Sequence, residues 1–191
     1  ASLSVVTVTK NSSLKLLDTF LSLRELLYEF PDSFEWLIID GESTDSSSLV
    51  LALLHSLGLS NINIRISPDS GIYNAMNSSF PHARHDYILF LNAGDRIIYN
   101  TASQFLRKRS SKLTLHIYSY LVGSDNIRIL KISRWMRSFA QLLLSILKFH
   151  LPTSHNAIIY PALILLKFPF NEVYSCAADF DQFLRLLADR I

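Results

Sequence analysis

At 191 residues the chain suits one domain with a sizeable core, and no second domain is expected. Its formal net charge of +2 excludes a charge-based case for nucleic acid, which is not expected as a partner, although lysine and arginine are dense from Arg128 to Lys148. Hydrophobic residues at 49%, charged ones at 18% and a mean hydropathy of +0.24 leave apolar surface for a partner or a membrane, while the lone Cys176 excludes an internal disulfide and a multi-cysteine zinc site.

The first ten residues, ASLSVVTVTK, carry no basic segment leading into a long apolar core, so no signal peptide is expected. Leu3 to Thr9 alternates β-branched and apolar residues and predicts a first strand, after which Asn11 or Ser12 can cap a helix. Leu14, Leu17, Phe20, Leu21 and Leu27 give that helix an apolar face to about Glu29, and Pro31 ends it. Phe34 to Ile39 predicts a buried strand that runs into DGESTD, Asp40 to Asp45. A helix over Ser47 to Leu57, a strand over Asn61 to Ile66, a short helix over 72–80 and a strand over Tyr87 to Leu91 follow. Repeated strand-helix order predicts a parallel sheet with helices on both faces.

In such a sheet ligands bind beyond the C-terminal ends of the strands. Asp40, Asp69 and Asp95 each fall just past a predicted strand end, which brings three carboxylates to one edge; helix or turn capping is the ordinary alternative for any one of them. Gly71 and Gly94, in a chain with only 5 glycines, lie beside two of these acids and mark places where the main chain can approach a phosphate or sugar.

Beyond Asp95 the pattern becomes α+β. Lys112 to Leu121 and Asn126 to Ser133 predict strands around VGSDN, and Ala177 to Arg190 predicts a helix with Phe180, Phe183, Leu184 and Leu187 on one side. Trp135 to Leu151 is the nearest approach to a spanning segment, broken by Arg137 and Lys148 before it reaches roughly 18 apolar residues. Residues 134–149 predict an amphipathic helix that suits either a membrane interface or packing on the sheet. Cys176 is expected as a buried thiol in a reducing compartment.

Five strings, VVTVTKNS, LIIDGESTDSS, SPDSGIYNAMN, ILFLNAGD and AADFDQFLRL, span almost the whole chain. In this order they resemble the nucleotide-sugar-dependent glycosyltransferases of family 2, which have the GT-A fold, and in particular a bacterial subgroup that builds surface polysaccharides. The resemblance implies a Rossmann-like, mostly parallel α/β sheet, with residues 1–95 as the nucleotide-sugar half and 96–191 as an α+β acceptor-side half of one domain. Thr7 and Thr9 would line the base pocket, and Asp40 would hydrogen-bond the base or ribose. Ser43 and Asp45 would shape the loop.

Asp69 and the backbone at Gly71 would lie near the diphosphate or donor sugar, with Asn77 as a polar contact and Tyr73 either stacking there or in the core. Asn92 to Asp95 takes the place of the family's paired-acid metal motif, but Asn92 and Gly94 replace acids, so Asp95 alone would anchor Mg2+ or Mn2+. Asp179 matches the base that removes the acceptor proton, or else caps its helix. Arg185 matches a basic position that pairs with a carboxylate or reaches phosphate, Asp181 would lie on the acceptor or phosphate side, and His155 matches a histidine that approaches the diphosphate or acceptor, with a neutral, hydrogen-bonded structural role as its alternative.

The implied reaction is inverting transfer from a nucleotide-diphosphate sugar to a saccharide or lipid-linked acceptor, in cytoplasm and against the inner membrane face if 134–149 docks there. A catalytically silent relative that binds nucleotide sugar or supports a partner enzyme is the alternative, favoured by the reduced acidic motif. A nicotinamide oxidoreductase would share the strand-helix order, but TVTKNSS holds no GxGxxG turn.

Overall fold

The apolar alternation at the N-terminus forms β1 (Leu3–Thr9), the strand around which the rest of the sheet is assembled. The computed structural model describes residues 1–108, 116–117, 156 and 158–189. On one side of β1 lie β2 (Phe34–Asp40) and β3 (Ile62–Ile66), and on the other β4 (Tyr87–Phe90), all parallel. β6 (Ile158–Pro161) runs antiparallel to β4 and to the short β5 (His116–Ile117). Among the described residues the sheet has six strands in the order β3-β2-β1-β4-β6-β5. β2 is buried along its whole length, as expected of a parallel strand covered on both faces.

Strand parity divides the core. Leu3, Val5, Trp36, Ile38, Tyr87 and Leu89 face α1 (Ser13–Glu29), α2 (Ser47–Ser56) and α4 (Tyr99–Leu106). Val6, Leu37, Ile39, Ile88 and Phe90 face α3 (Ile72–Ser79), α5 (Ala162–Lys167) and the start of α6 (Ala178–Ala188). The predicted alternation of strand and helix up to β4 therefore forms as a parallel sheet with helices on both sides. α4, α5 and β6 have no counterpart in the sequence reading, and β6 supplies the antiparallel element beyond Asp95.

The face of α1 is rotated from the predicted one. Leu16, Thr19, Leu23, Leu26 and Leu27 are buried, whereas Leu14 is 78% and Leu21 49% exposed. Leucines occur all around this helix, so periodicity alone does not set its phase; Phe20 stacks on Trp36 at 6.1 Å, and Thr19 docks on the 92–95 loop. Burying each such leucine is worth about 1.5–3 kcal/mol, so the sheet selects the rotation that covers most of them. On α6 the buried side is Ala178, Gln182, Phe183 and Leu186, with Leu184 exposed. Cys176 is exposed, not buried, because residues 171–177 run over the surface before α6.

The predicted strand over Asn126 to Ser133 and the amphipathic helix over 134–149 lie outside the described residues. Among the described residues no helix is long and apolar enough to cross a membrane.

Candidate active site

Four parallel strands deliver their C-terminal loops to one edge of the sheet. The β1 and β2 loops are bonded into one floor. Gly41 N–H donates to Thr9 C=O at 2.9 Å, and Asn11 Oδ1 accepts the N–H groups of Thr44 at 2.8 Å and Asp45 at 3.3 Å. Asn11 and Glu42 take left-handed φ values of 51° and 58° to make these turns. Asp40, only 2% exposed, accepts Ser43 N–H at 2.9 Å and Ser43 O–H at 2.5 Å. Ser43 thus fills two of about four acceptor positions on that carboxylate, and the rest remain for a ligand.

The two threonines of β1 differ. Thr7 is fully buried and its hydroxyl accepts the Trp36 indole N–H at 2.9 Å, so it holds the core and does not line a base pocket. Thr9 sits at the strand end, 7% exposed, and its hydroxyl has no hydrogen-bond partner among the described residues. A buried unpaired hydroxyl costs about 1–3 kcal/mol, so a ligand group that pairs it gains that amount.

Asp69 leans on this floor. A Cβ at Gly41 would stand 2.1 Å from Asp69 Oδ2, so only glycine leaves the carboxylate its place; the Lys10 stem would be 3.4 Å from the same point. Asp69 Oδ1 accepts Gly71 N–H at 3.1 Å, and Ser67 N–H donates to Asp40 C=O at 3.0 Å, which brings the Asp69 loop against the Asp40 loop. Gly71 opens α3 with φ 142° and ψ 172°, a conformation nearly confined to glycine.

The third loop, 92–95, is held from α1. The buried Thr19 hydroxyl accepts Gly94 N–H at 2.9 Å and donates to Asp95 C=O at 3.0 Å. Gly94 has φ 98° and packs on the Lys15 stem. Asp95 Oδ2 accepts the Asn156 amide, which ties this loop to a residue two positions before β6. The three aspartates share the sheet edge, yet no group of three His, Cys, Asp or Glu among the described residues could hold a metal by itself.

On the other face, Ala177 enters α6 with φ 64°, and its carbonyl accepts the N–H groups of Phe180 and Asp181 at 3.1 Å. Asp179 therefore lies inside the first turn, not at the cap, and its Oδ1 accepts the next N–H, Phe180, at 3.0 Å. Its charge is felt by two buried phenols. Burial first, and Asp179 second, push the Tyr73 and Tyr160 hydroxyls above the usual tyrosine range. Tyr73 is 8% exposed and packs on Phe170 at 5.5 Å, which settles it as core beneath Asp179 rather than a stacking platform.

Two further expectations change. Asn77 does not face the donor: its amide N donates to Phe170 C=O and Glu172 Oε1 at 2.8 Å, and its oxygen accepts Phe170 N–H at 2.9 Å. Asp181 is turned to Arg185, which pairs with this carboxylate at 2.8 Å, one of its two expected roles, and also donates to Pro169 C=O at 2.6 Å. Asn92 lies half-buried in the loop it was assigned to, and His155 is outside the described residues.

The sequence pattern of glycosyl transferase family 2 matches residues 4–167, a span that contains the sheet and all three aspartate loops. The chain belongs to glycosyl transferase family 2. Among solved structures it is similar to S. aureus TarS 1-349 in complex with UDP, with a TM-score of 0.66 and 20% identity over 94% of this chain and 53% of that one. Glucosyl-3-phosphoglycerate synthase from Mycobacterium tuberculosis in complex with UDP gives a TM-score of 0.61 at 18% identity, over 98% of this chain and 67% of that one. The mannosyltransferase PcManGT from Pyrobaculum calidifontis, in complex with GDP-Man and Mn2+, gives 0.61 at 15% identity over 88% and 47%. At such identities the likeness establishes the GT-A fold, and the chain spans about half the length of the TarS chain. Among curated proteins none matches the sequence.

In family 2 the group implied beside the 92–95 loop is a divalent cation. The donor set fits one: Asp95 is a hard carboxylate with one oxygen steadied by Asn156 and no bond to the other among the described residues. Magnesium commonly takes one or two protein carboxylates and completes its shell with phosphate and water. Glu172, Asn156, Thr19, Lys10 and Lys15 were not singled out by the sequence. Asn156 adjoins His155 in TSHNA, where the histidine carries the stronger signal, and the others carry no local signal.

Proposed function

We propose that this family 2 domain transfers a sugar, with inversion, from a nucleotide-diphosphate sugar to a saccharide or lipid-linked acceptor in polysaccharide or cell-envelope glycan synthesis. The observation that carries this reading is Asp179 in the first turn of α6, whose Ala178 is buried in one cluster with Tyr73 of the α3 that Gly71 opens. Residues 1–95 serve the donor and 96–191 the acceptor.

Thr9 and Asp40 offer hydrogen-bonding groups to the nucleoside, and Asp69 with the Gly71 backbone faces the sugar diphosphate. Asp179 takes the acceptor hydroxyl proton as that oxygen bonds to the anomeric carbon. The bond from that carbon to the phosphate oxygen breaks, and its electron pair leaves on the nucleoside diphosphate. A cation held at Asp95, Mg2+ or Mn2+, would neutralise charge on the departing diphosphate. The enzyme works in the cytoplasm, beside the inner membrane face where the acceptor is lipid-linked.

Asn92 and Gly94 in place of acids favour a second reading, a silent relative that binds the donor without turnover. Transfer or hydrolysis of UDP- and GDP-sugars separates the two. Asp179→Asn is expected to lower turnover about 10²- to 10⁴-fold, the usual span for a general base, while nucleotide affinity stays within threefold. Full activity in that variant refutes the assignment.

A further inference from the structure

Asn74 and Asn77 stand one turn apart on α3, directly after the Asp69–Gly71 loop, and both donate their amides to one exposed carboxylate. Asn74 Nδ2 reaches Glu172 Oε2 at 2.8 Å, and Asn77 Nδ2 reaches Glu172 Oε1 at 2.8 Å. These bonds, Asn77's the larger cause, hold the Glu172 carboxyl below its ordinary range. An exposed glutamate tends to stay mobile, because fixing its side chain costs rotamer entropy; charge-assisted bonds to both oxygens oppose that.

The fork has continuations at both ends. Asn74 Oδ1 accepts Ser70 N–H at 3.3 Å, inside the donor loop. Asn77 exchanges hydrogen bonds with Phe170, and the adjoining chain is bonded to α6: Gln182 Nε2 donates to Phe168 C=O at 2.6 Å and Arg185 Nη2 to Pro169 C=O at 2.6 Å. A run of polar contacts thus leads from the loop of Asp69 to the helix of Asp179. Phe170 and Ala178 are buried at 2% and 0% exposure, so their packing keeps the segment folded without Glu172.

We propose that Glu172 is a positioning residue that latches the Asp69–Gly71 loop to the segment leading into Asp179, so that occupancy of the donor loop fixes the base helix. This rests on the donor and base assignments of the proposed function. Glu172 does not touch the reacting atoms. It sets the distance between two elements that must close on one substrate, and such placement governs rate steeply.

The test follows amide hydrogen exchange of residues 178–184 in the whole chain, with and without saturating UDP or GDP. In the wild type, nucleotide is expected to slow this exchange at least threefold. In Glu172→Ala, nucleotide affinity stays within threefold and the slowing disappears; Glu172→Gln, which keeps one acceptor oxygen, retains part of it and carries the test alone should the alanine variant fold poorly. A wild type that binds nucleotide without protecting α6, or variants that protect it as fully as the wild type, overturn the latch alone. A wild type that binds neither UDP nor GDP overturns the donor-site reading and the latch with it.

Discussion

Gly41 shows how one missing side chain shapes the site. It lies at ordinary φ, so its requirement is space: the Cβ of any other residue would meet Asp69 Oδ2 at 2.1 Å. The clashing atom ends a flexible side chain, so Gly41→Ala is expected to unfold within about 1 kcal/mol of the wild type in urea while displacing Asp69. Nucleotide-sugar affinity, read by calorimetry, is expected to fall about tenfold or more, roughly one charge-assisted hydrogen bond. Unchanged affinity would remove Asp69 from the donor site. Asp40, Asp69 and Asp95 were legible because each follows a strand signal and stays at the strand end. Thr7 was not, since only strand parity and the Trp36 indole N–H, 29 residues away, assign its hydroxyl to the core.

At the scale of elements, α1 supports the 92–95 loop through one hydroxyl. Thr19→Val keeps the shape but leaves Gly94 N–H and Asp95 C=O without that partner. A loss of about 1–3 kcal/mol in urea unfolding is expected, with weaker metal-dependent nucleotide binding because Asp95 rides on the same turn. A stable variant with normal binding would show that Thr19 is incidental. The α1 face was misphased in the sequence for a related reason: leucines surround the helix, and it is Thr19 on the loop and Phe20 on Trp36 that choose among them. Its string likewise suggests Asn77 as a ligand contact, whereas it bonds Phe170, 93 residues on. No local pattern encodes such partners.

For the whole molecule, a donor held by loops from β1, β2, β3 and β4 should stabilise the sheet they cap. At a hundredfold excess over Kd a ligand adds about 2.7 kcal/mol. For a chain of this size that corresponds to about 5–10 °C in Tm. A thermal-shift series with UDP and GDP is expected to show such a rise with Mn2+ or Mg2+ and a smaller one with EDTA. Equal shifts in both conditions would remove the cation from Asp95.

The sequence by itself determined the strand-helix order up to β4, the placing of three aspartates at one sheet edge, and the family. Those follow from short-range periodicity and from contiguous strings. The tertiary structure decided which residues of those strings stand open at the sheet edge and which are bonded within the protein. Thr9 rather than Thr7 stands at the open end of β1; Asp179 sits inside its helix over buried tyrosines; Asn77 fastens α3, and Arg185 paired with Asp181 fastens α6, to the 168–172 segment. A side chain's partner is chosen by packing between elements far apart in the chain, and a motif records only that a polar group is present.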